Sequence, residues 1–207
     1  MGKRVLFSVH AGILLLLVVN LAGCFLPKMD IPDSLSMDTP DSPRIDNLPY
    51  TDPEQVWISR AYEAGHQGID ISADQVIDIV SPGEGTFLKS MYYHAGVPRW
   101  QVNAEIRQGG YAVELLLEPG NSVSEAEAQI QYEMLIPNGT EVKAGDLLGQ
   151  RYIAYGQPYS ILHMAVRQNS NGTFFCPLGS MAEQAVSDLL ELFHRDHPGE
   201  EICTLGE

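Results

Sequence analysis

Basic residues are scarce in this chain of 207 residues: 12 Lys and Arg stand against 27 Asp and Glu, a net charge of −15. So acidic a surface repels nucleic acid and anionic lipid headgroups, which excludes a nucleic-acid-binding function and a basic patch as the means of membrane attachment. Cysteine is nearly absent, with only Cys24, Cys176 and Cys203. Apolar residues are sparse between positions 25 and 54, where Pro27, Pro32, Pro40, Pro43, Pro49 and Pro53 recur among Asp and Ser. Too little can be buried there to offset chain entropy, so residues 24–54 are expected to form an extended tether.

The longest apolar run lies at the start. Lys3 and Arg4 precede Val5 to Ala22, broken only by Ser8, His10 and Asn20, and the run closes on Leu21-Ala22-Gly23-Cys24. A charged head, an apolar middle and small residues before a cleavage point describe an export signal over residues 1–23. The ending resembles a bacterial lipobox, which implies that Cys24 carries lipid and begins the mature chain. Cleavage would remove Lys3 and Arg4 and no acid, taking the net charge from −15 to −17. Attachment to a membrane would then rest on acyl chains. Outside the cytoplasm disulfides persist, and Cys176 and Cys203 are expected to pair, stabilising the fold by about 3 kcal/mol.

From about position 55 short β-type runs alternate with glycine-rich turns. Val76–Val80 and Thr86–Leu88 flank Ser81-Pro82-Gly83-Glu84-Gly85, a strand-turn-strand pattern. Val102–Arg107 and Tyr111–Leu117 flank Gln108-Gly109-Gly110, and Ile161–Arg167 and Thr173–Phe175 flank 168–172, both hairpin-like. Ala128–Leu135 reads as another strand. The triplets at Asn138 and Asn171 read as Asn-Gly turns. Many short strands with tight turns predict an all-β antiparallel sandwich or barrel-like fold over 55–176. Near the end, Ser180 and Glu183 match a capping box. Val186, Leu189, Leu190 and Phe193 form one apolar stripe, so a single C-terminal helix is expected in 177–207.

The chemistry concentrates in His66-Gln67-Gly68-Ile69-Asp70. On an extended segment residues four apart share a face, so His66 and Asp70 converge while Gly68 leaves room between them. An imidazole and a carboxylate supply two ligands of a three-ligand zinc site, and His163, polar in an apolar run, offers the third.

Together these segments resemble the lysostaphin-type (LytM-like) zinc endopeptidases, which cut peptide cross-links in bacterial cell walls. Gly65–Ile71 resembles the family's first metal motif, Val80–Phe87 its strand-turn-strand, Val142–Gly149 its Gly-rich hairpin and Ile161–Arg167 its final His-x-His strand. The resemblance implies a duplicated hybrid β motif, one zinc ion on His66, Asp70 and His163, and a site in the cell envelope facing peptidoglycan. It also exposes two departures. Where the family carries proton-handling histidines, this chain has Ile161 and, by the Tyr-x-His pattern in Tyr132-Glu133-Met134, Met134. Neither side chain can move a proton or stabilise an oxyanion, so no catalytic residue is assigned and hydrolysis is expected to be weak or absent. Glu133, on the opposite face of the expected strand, and His94 are the candidate substitutes. His194 and His197 are read as helix-end residues without a site role. The expected function is a lipid-anchored envelope protein that binds wall peptide or a wall-remodelling partner through a degenerate zinc-peptidase domain. An active endopeptidase and a metal-free structural lipoprotein are the alternatives.

Overall fold

A computed structural model describes residues 43–203. The expected signal segment, Cys24 and the tether up to residue 42 lie outside the described residues.

Alternation of apolar and polar residues builds the main sheet. Its order is β1 (Trp57–Arg60), β2 (Ile69–Ala73), β9 (Ser160–Gln168), β6 (Tyr111–Glu118), β5 (Arg99–Gln108), β4 (Gly85–His94) and β7 (Thr140–Val142), all antiparallel. β10 (Phe174–Phe175) pairs β9 beyond the point where β2 stops. A two-stranded sheet, β3 (Ile77–Val80) with β8 (Leu147–Arg151), forms the second layer. Both sheets are open, so the fold is the sandwich alternative rather than a closed barrel. The inward face carries Ile71, Val102, Ile106, Leu115, Leu117, Leu162 and Met164, all essentially solvent-free. Their neighbours one position along point to the opposite, polar face.

Both expected hairpins form, β5 with β6 and β9 with β10. β3 and β4, read as one strand-turn-strand, belong to different sheets. Both Asn-Gly turns place the glycine at positive φ, +80° at Gly139 and +72° at Gly172, which an L side chain disfavours. The pairing of Cys176 with Cys203 is present, with Cα atoms 6.1 Å apart.

Three expectations are corrected. Ala128–Leu135 is not a strand: α1 spans Glu125–Glu133. Ser124 caps it through a full capping box with Glu127, and Glu, Ala and Gln favour the helix. The last part of the expected tether is packed: Ile45 is fully buried and Tyr50 is 8% exposed. Residues 45–50 are stitched in by the bonds Ile45 N–Ser180 O (2.8 Å) and Ala182 N–Ile45 O (2.7 Å) and by a bridge between Tyr50 and Ile79. Lastly, α2 (Glu183–Asp196) has Ala182 as its N-cap, so Ser180 does not cap it. Ser180 instead ends a 3-10 turn from Pro177. The buried stripe of α2 is Ala185, Val186, Leu189, Leu192 and Phe193, with Leu190 at its margin. Among the described residues no helix is long and apolar enough to cross a membrane.

Candidate metal centre

Pairing between β2 and β9 brings Asp70 directly opposite His163. Both side chains therefore rise from the polar face as cross-strand neighbours. His66 comes from the tight loop before β2, where Glu63 and His66 exchange two backbone hydrogen bonds (3.0 and 2.9 Å). That loop is tied down by Tyr62 N on the Ile202 carbonyl (3.0 Å), and Ile202 precedes the disulfide partner Cys203. The bridge between Cys176 and Cys203 thus fastens the tail beside the loop that presents His66.

The side chains of His66, Asp70 and His163 are 10%, 16% and 18% exposed. Asp70 Oδ1 lies 3.1 Å from His66 Nε2 and 2.7 Å from His163 Nδ1, and the two imidazoles meet edge to face at 4.9 Å. A Cβ at Gly68 would overlap the His163 imidazole, so only glycine lets that ring lie against the backbone. His66 Nδ1 is 2.7 Å from the Ala61 carbonyl. A carbonyl only accepts, so Nδ1 carries the hydrogen and Nε2 turns its lone pair to the cluster when the ring is neutral.

Electrostatics agree with this geometry. Burial disfavours the charged form of His66, but its bonds to Asp70 and Ala61 and the Asp70 charge outweigh that and raise its pKa. Burial likewise disfavours the Asp70 carboxylate, yet the bonds from His163 and His66 and their charges lower its pKa from 3.8 to about 2.

The donor set could hold a divalent metal ion. Three ligand atoms, two imidazole nitrogens and one carboxylate oxygen, lie within 4.8 Å of one another. A tetrahedral ion with bonds of about 2.0–2.1 Å sets its ligand atoms roughly 3.3 Å apart, and Asp70 Oδ1 lies 3.1 and 2.7 Å from the two ring nitrogens. A ring nitrogen held on a backbone carbonyl is also the usual support for a ligating histidine.

The candidate substitutes do not join the cluster. Lys89, on the inward face of β4, donates through Nζ to the carbonyls of Tyr132 (2.7 Å) and Leu135 (2.8 Å), which puts α1 against the inward face of the sheet. Glu133 and Met134 close that helix, on the far side from His163, and Glu133 accepts from Gln129 Nε2 at 2.8 Å. Strand alternation does not apply to them, and the Tyr132-Glu133-Met134 correspondence falls with it. His94 is exposed at the end of β4, where Nδ1 accepts from Val97 N at 2.9 Å. Three strand spacings separate β4 from β9, about 14 Å. His194 lies in the last turn of α2, and His197 caps that helix and bonds the Ile58 carbonyl at 2.8 Å, in keeping with helix-end roles.

What borders the cluster is β6. It presents Leu116 opposite His163 and Glu118 opposite Ile161. Glu118, 8% exposed, accepts from Gln101 Nε2 (2.6 Å) and pairs with Arg99. Burial raises its pKa, with Arg99 opposing and the Asp70 charge adding to the rise. No motif marks Glu118 in the sequence; the alternation along Tyr111–Glu118, registered against Ile161–Gln168, is the available signal. Further along the same face, Arg167 pairs with Glu114 and with Glu105 (2.9 Å), and Arg107 with Glu105 (2.7 Å).

No protein-family model matches the chain, and no curated protein matches it.

Proposed function

We propose that His66, Asp70 and His163 hold one zinc ion, and that this is a lipid-anchored protein of the bacterial cell envelope which recognises wall peptide or a wall-remodelling partner through a degenerate zinc-peptidase site. The observation that carries the reading is the convergence of three ligand atoms on one face of the sheet, with His66 Nδ1 committed to the Ala61 carbonyl and Gly68 making room for His163. Bound there, zinc would supply a Lewis-acid position open to a carbonyl or carboxylate of a peptide. The chain's own residues position the ion, and Ile161 and Leu116 fill the neighbouring outward positions with side chains that cannot move a proton. The lipidated Cys24, the envelope location and peptidoglycan as ligand come from the lipobox-like ending and from the motif resemblance.

Protein purified without added zinc should contain about one zinc per chain, and His163→Ala should lose it. Incubated with purified wall, the protein should sediment with the wall without clearing it. A metal-free protein whose melting temperature is unmoved by zinc would remove the metal reading, because a ligand bound to the native state must stabilise it.

Glu118 favours a second reading, an active endopeptidase. Glu118 stands diagonally across from His163 on the same face, one diagonal spacing of about 7 Å away. Chelator-sensitive wall clearing abolished by Glu118→Gln would establish this reading in place of the first.

A further inference from the structure

The disulfide between Cys176 and Cys203 joins the two segments that carry the histidines of the metal cluster. Cys176 follows β10 directly, and β10 ends with Phe175 opposite Val166, three residues along β9 from His163. Cys203 forms a parallel bridge with Tyr62, and the neighbouring Ile202 carbonyl accepts from Tyr62 N at 3.0 Å. Tyr62 also reaches the other end of the link, where its hydroxyl donates to the Phe174 carbonyl at 3.5 Å.

Tyr62 stands between the two residues that hold His66. The Ala61 carbonyl takes the His66 ring at Nδ1 (2.7 Å), and Glu63 exchanges two backbone hydrogen bonds with His66 (3.0 and 2.9 Å). Contacts therefore run without a break from the disulfide through Tyr62 to the imidazole. Besides the disulfide, little holds the tail there. Residues 198–201 are exposed, and Ile202, 4% exposed, is the buried apolar anchor of that stretch. Helix α2 is packed by its own buried stripe, so opening the disulfide frees the short tail after it rather than the helix. Both cysteines are partly exposed.

We infer that the Cys176–Cys203 disulfide is a redox-sensitive positioning device for the metal cluster. Closed, it fixes the His66 loop to the β9–β10 edge and keeps the imidazole beside Asp70. Opened by a dithiol, it releases the tail and the loop, and the cluster loses its third ligand. One thiolate of the dithiol attacks a cysteine sulfur, and the other cysteine leaves as a thiolate and takes up a proton. The second thiol then displaces the first cysteine, so the dithiol departs as a disulfide and both cysteines as thiols. The effect on metal affinity rests on the zinc reading given above; the effect on the His66 ring does not.

The test follows imidazole nitrogen shifts by NMR in the full chain, metal-free, in detergent and at alkaline pH, with the disulfide closed, reduced by a dithiol and then reoxidised. Closed, His66 should report a hydrogen fixed on Nδ1. Reduced, it should move toward the tautomer mixture of a free imidazole, and reoxidation should restore it. Backbone amide shifts in β5 and β6 should stay in place throughout. Zinc affinity, measured by chelator competition on the double variant Cys176→Ser/Cys203→Ser, which offers no new thiol ligand, should fall by at least about tenfold, the loss expected when the support of a ligating histidine is removed. Ile202→Ala, which keeps the disulfide, should lose less. A His66 ring unmoved by reduction would overturn the inference. So would loss of the β5 and β6 shifts, because the disulfide would then hold the whole fold rather than the loop. Unchanged zinc affinity in the double variant, with zinc bound by the parent, would overturn it as well. A parent that binds no zinc would fail the zinc reading alone and leave the ring shifts to decide.

Discussion

Two polar clusters share the outward face of the main sheet, and they differ in how charge is balanced. His163 and Arg167 are four residues apart on β9. Arg167 and Arg107 meet the carboxylates of Glu105 and Glu114, so that cluster carries its own cations. The cluster of His66, Asp70 and His163 contains only bases, and without a metal it holds together through one shared carboxylate oxygen. The first arrangement is complete as it stands. The second has donors aimed at one point and no permanent cation among them, which is the arrangement a metal ion completes. Neighbouring clusters on one strand thus differ as a self-balanced ion-pair network differs from a group that could hold a metal ion.

Substitution should split the two most clearly. His163→Ala leaves two ligands for zinc, and zinc affinity measured by competition with a chromogenic chelator should fall about a thousandfold, roughly 4 kcal/mol. The apo protein should lose much less stability. Arg167→Met should do the reverse. It leaves two largely buried carboxylates without their main partner and should cost about 3 kcal/mol in denaturant unfolding, with zinc affinity within twofold of the parent. If Arg167→Met abolished zinc binding as well, the two clusters would be one unit and the distinction would fail.

The outward face also shows what a sequence can and cannot reveal. Asp70 and His163 are legible because each sits in an extended segment, and β2 and β9 are adjacent; His66 is picked out by the same motif but reaches the cluster from the tight loop before β2, not from the extended segment that the four-residue spacing assumed. The disulfide is legible because only two cysteines remain to pair once Cys24 is set aside. The helix at 125–133 hides behind Ile130, Tyr132 and Leu135, which suggest a strand; the capping box at Ser124 and Glu127 and the run of Glu, Ala and Gln argue otherwise. Glu118 and the Arg167 network are invisible for a different reason. Each depends on which strand lies beside β9, and register between β6 and β9 is a tertiary fact that no local pattern encodes. The packing of Ile45 and Tyr50 is masked by the prolines and acids around them, which describe the chain's stiffness but not the pocket two isolated apolar residues can fill.

A pH series should sharpen the contrast by about 2 kcal/mol. In the metal-free protein Asp70 has a folded pKa of about 2, below its unfolded value near 4. Its contribution is therefore present above about pH 4 and is lost as pH falls toward 2. The folded pKa of His66 is raised above the unfolded value near 6.5, so its contribution is complete below about 6.5 and is lost as pH rises through the folded pKa. Unfolding of the metal-free protein should thus show this pair at its best between about pH 4 and 6.5. Zinc requires neutral imidazoles, so the zinc-induced rise in melting temperature should grow across the range in which the metal-free protein weakens. His66→Ala should flatten both trends, while Arg167→Met should keep both. Parallel trends with and without zinc would mean that the metal does not compete with protons for these side chains.

The smallest expected effect probes the space between the ligands. Gly68→Ala removes no ligand and no charge, but its new methyl group would overlap the His163 imidazole. Either the ring swings away from Asp70 or the backbone before β2 shifts, and both disturb the point where the three ligand atoms converge. Zinc affinity should fall about tenfold, roughly 1.4 kcal/mol. The ion pairs of Arg167, four residues along β9 from that ring, should keep their contribution to stability. A methyl tolerated at position 68 with full zinc affinity would show that His163 reaches the ion by a route other than the one the glycine leaves open, and it would weaken the reading of this face as a pre-shaped metal centre.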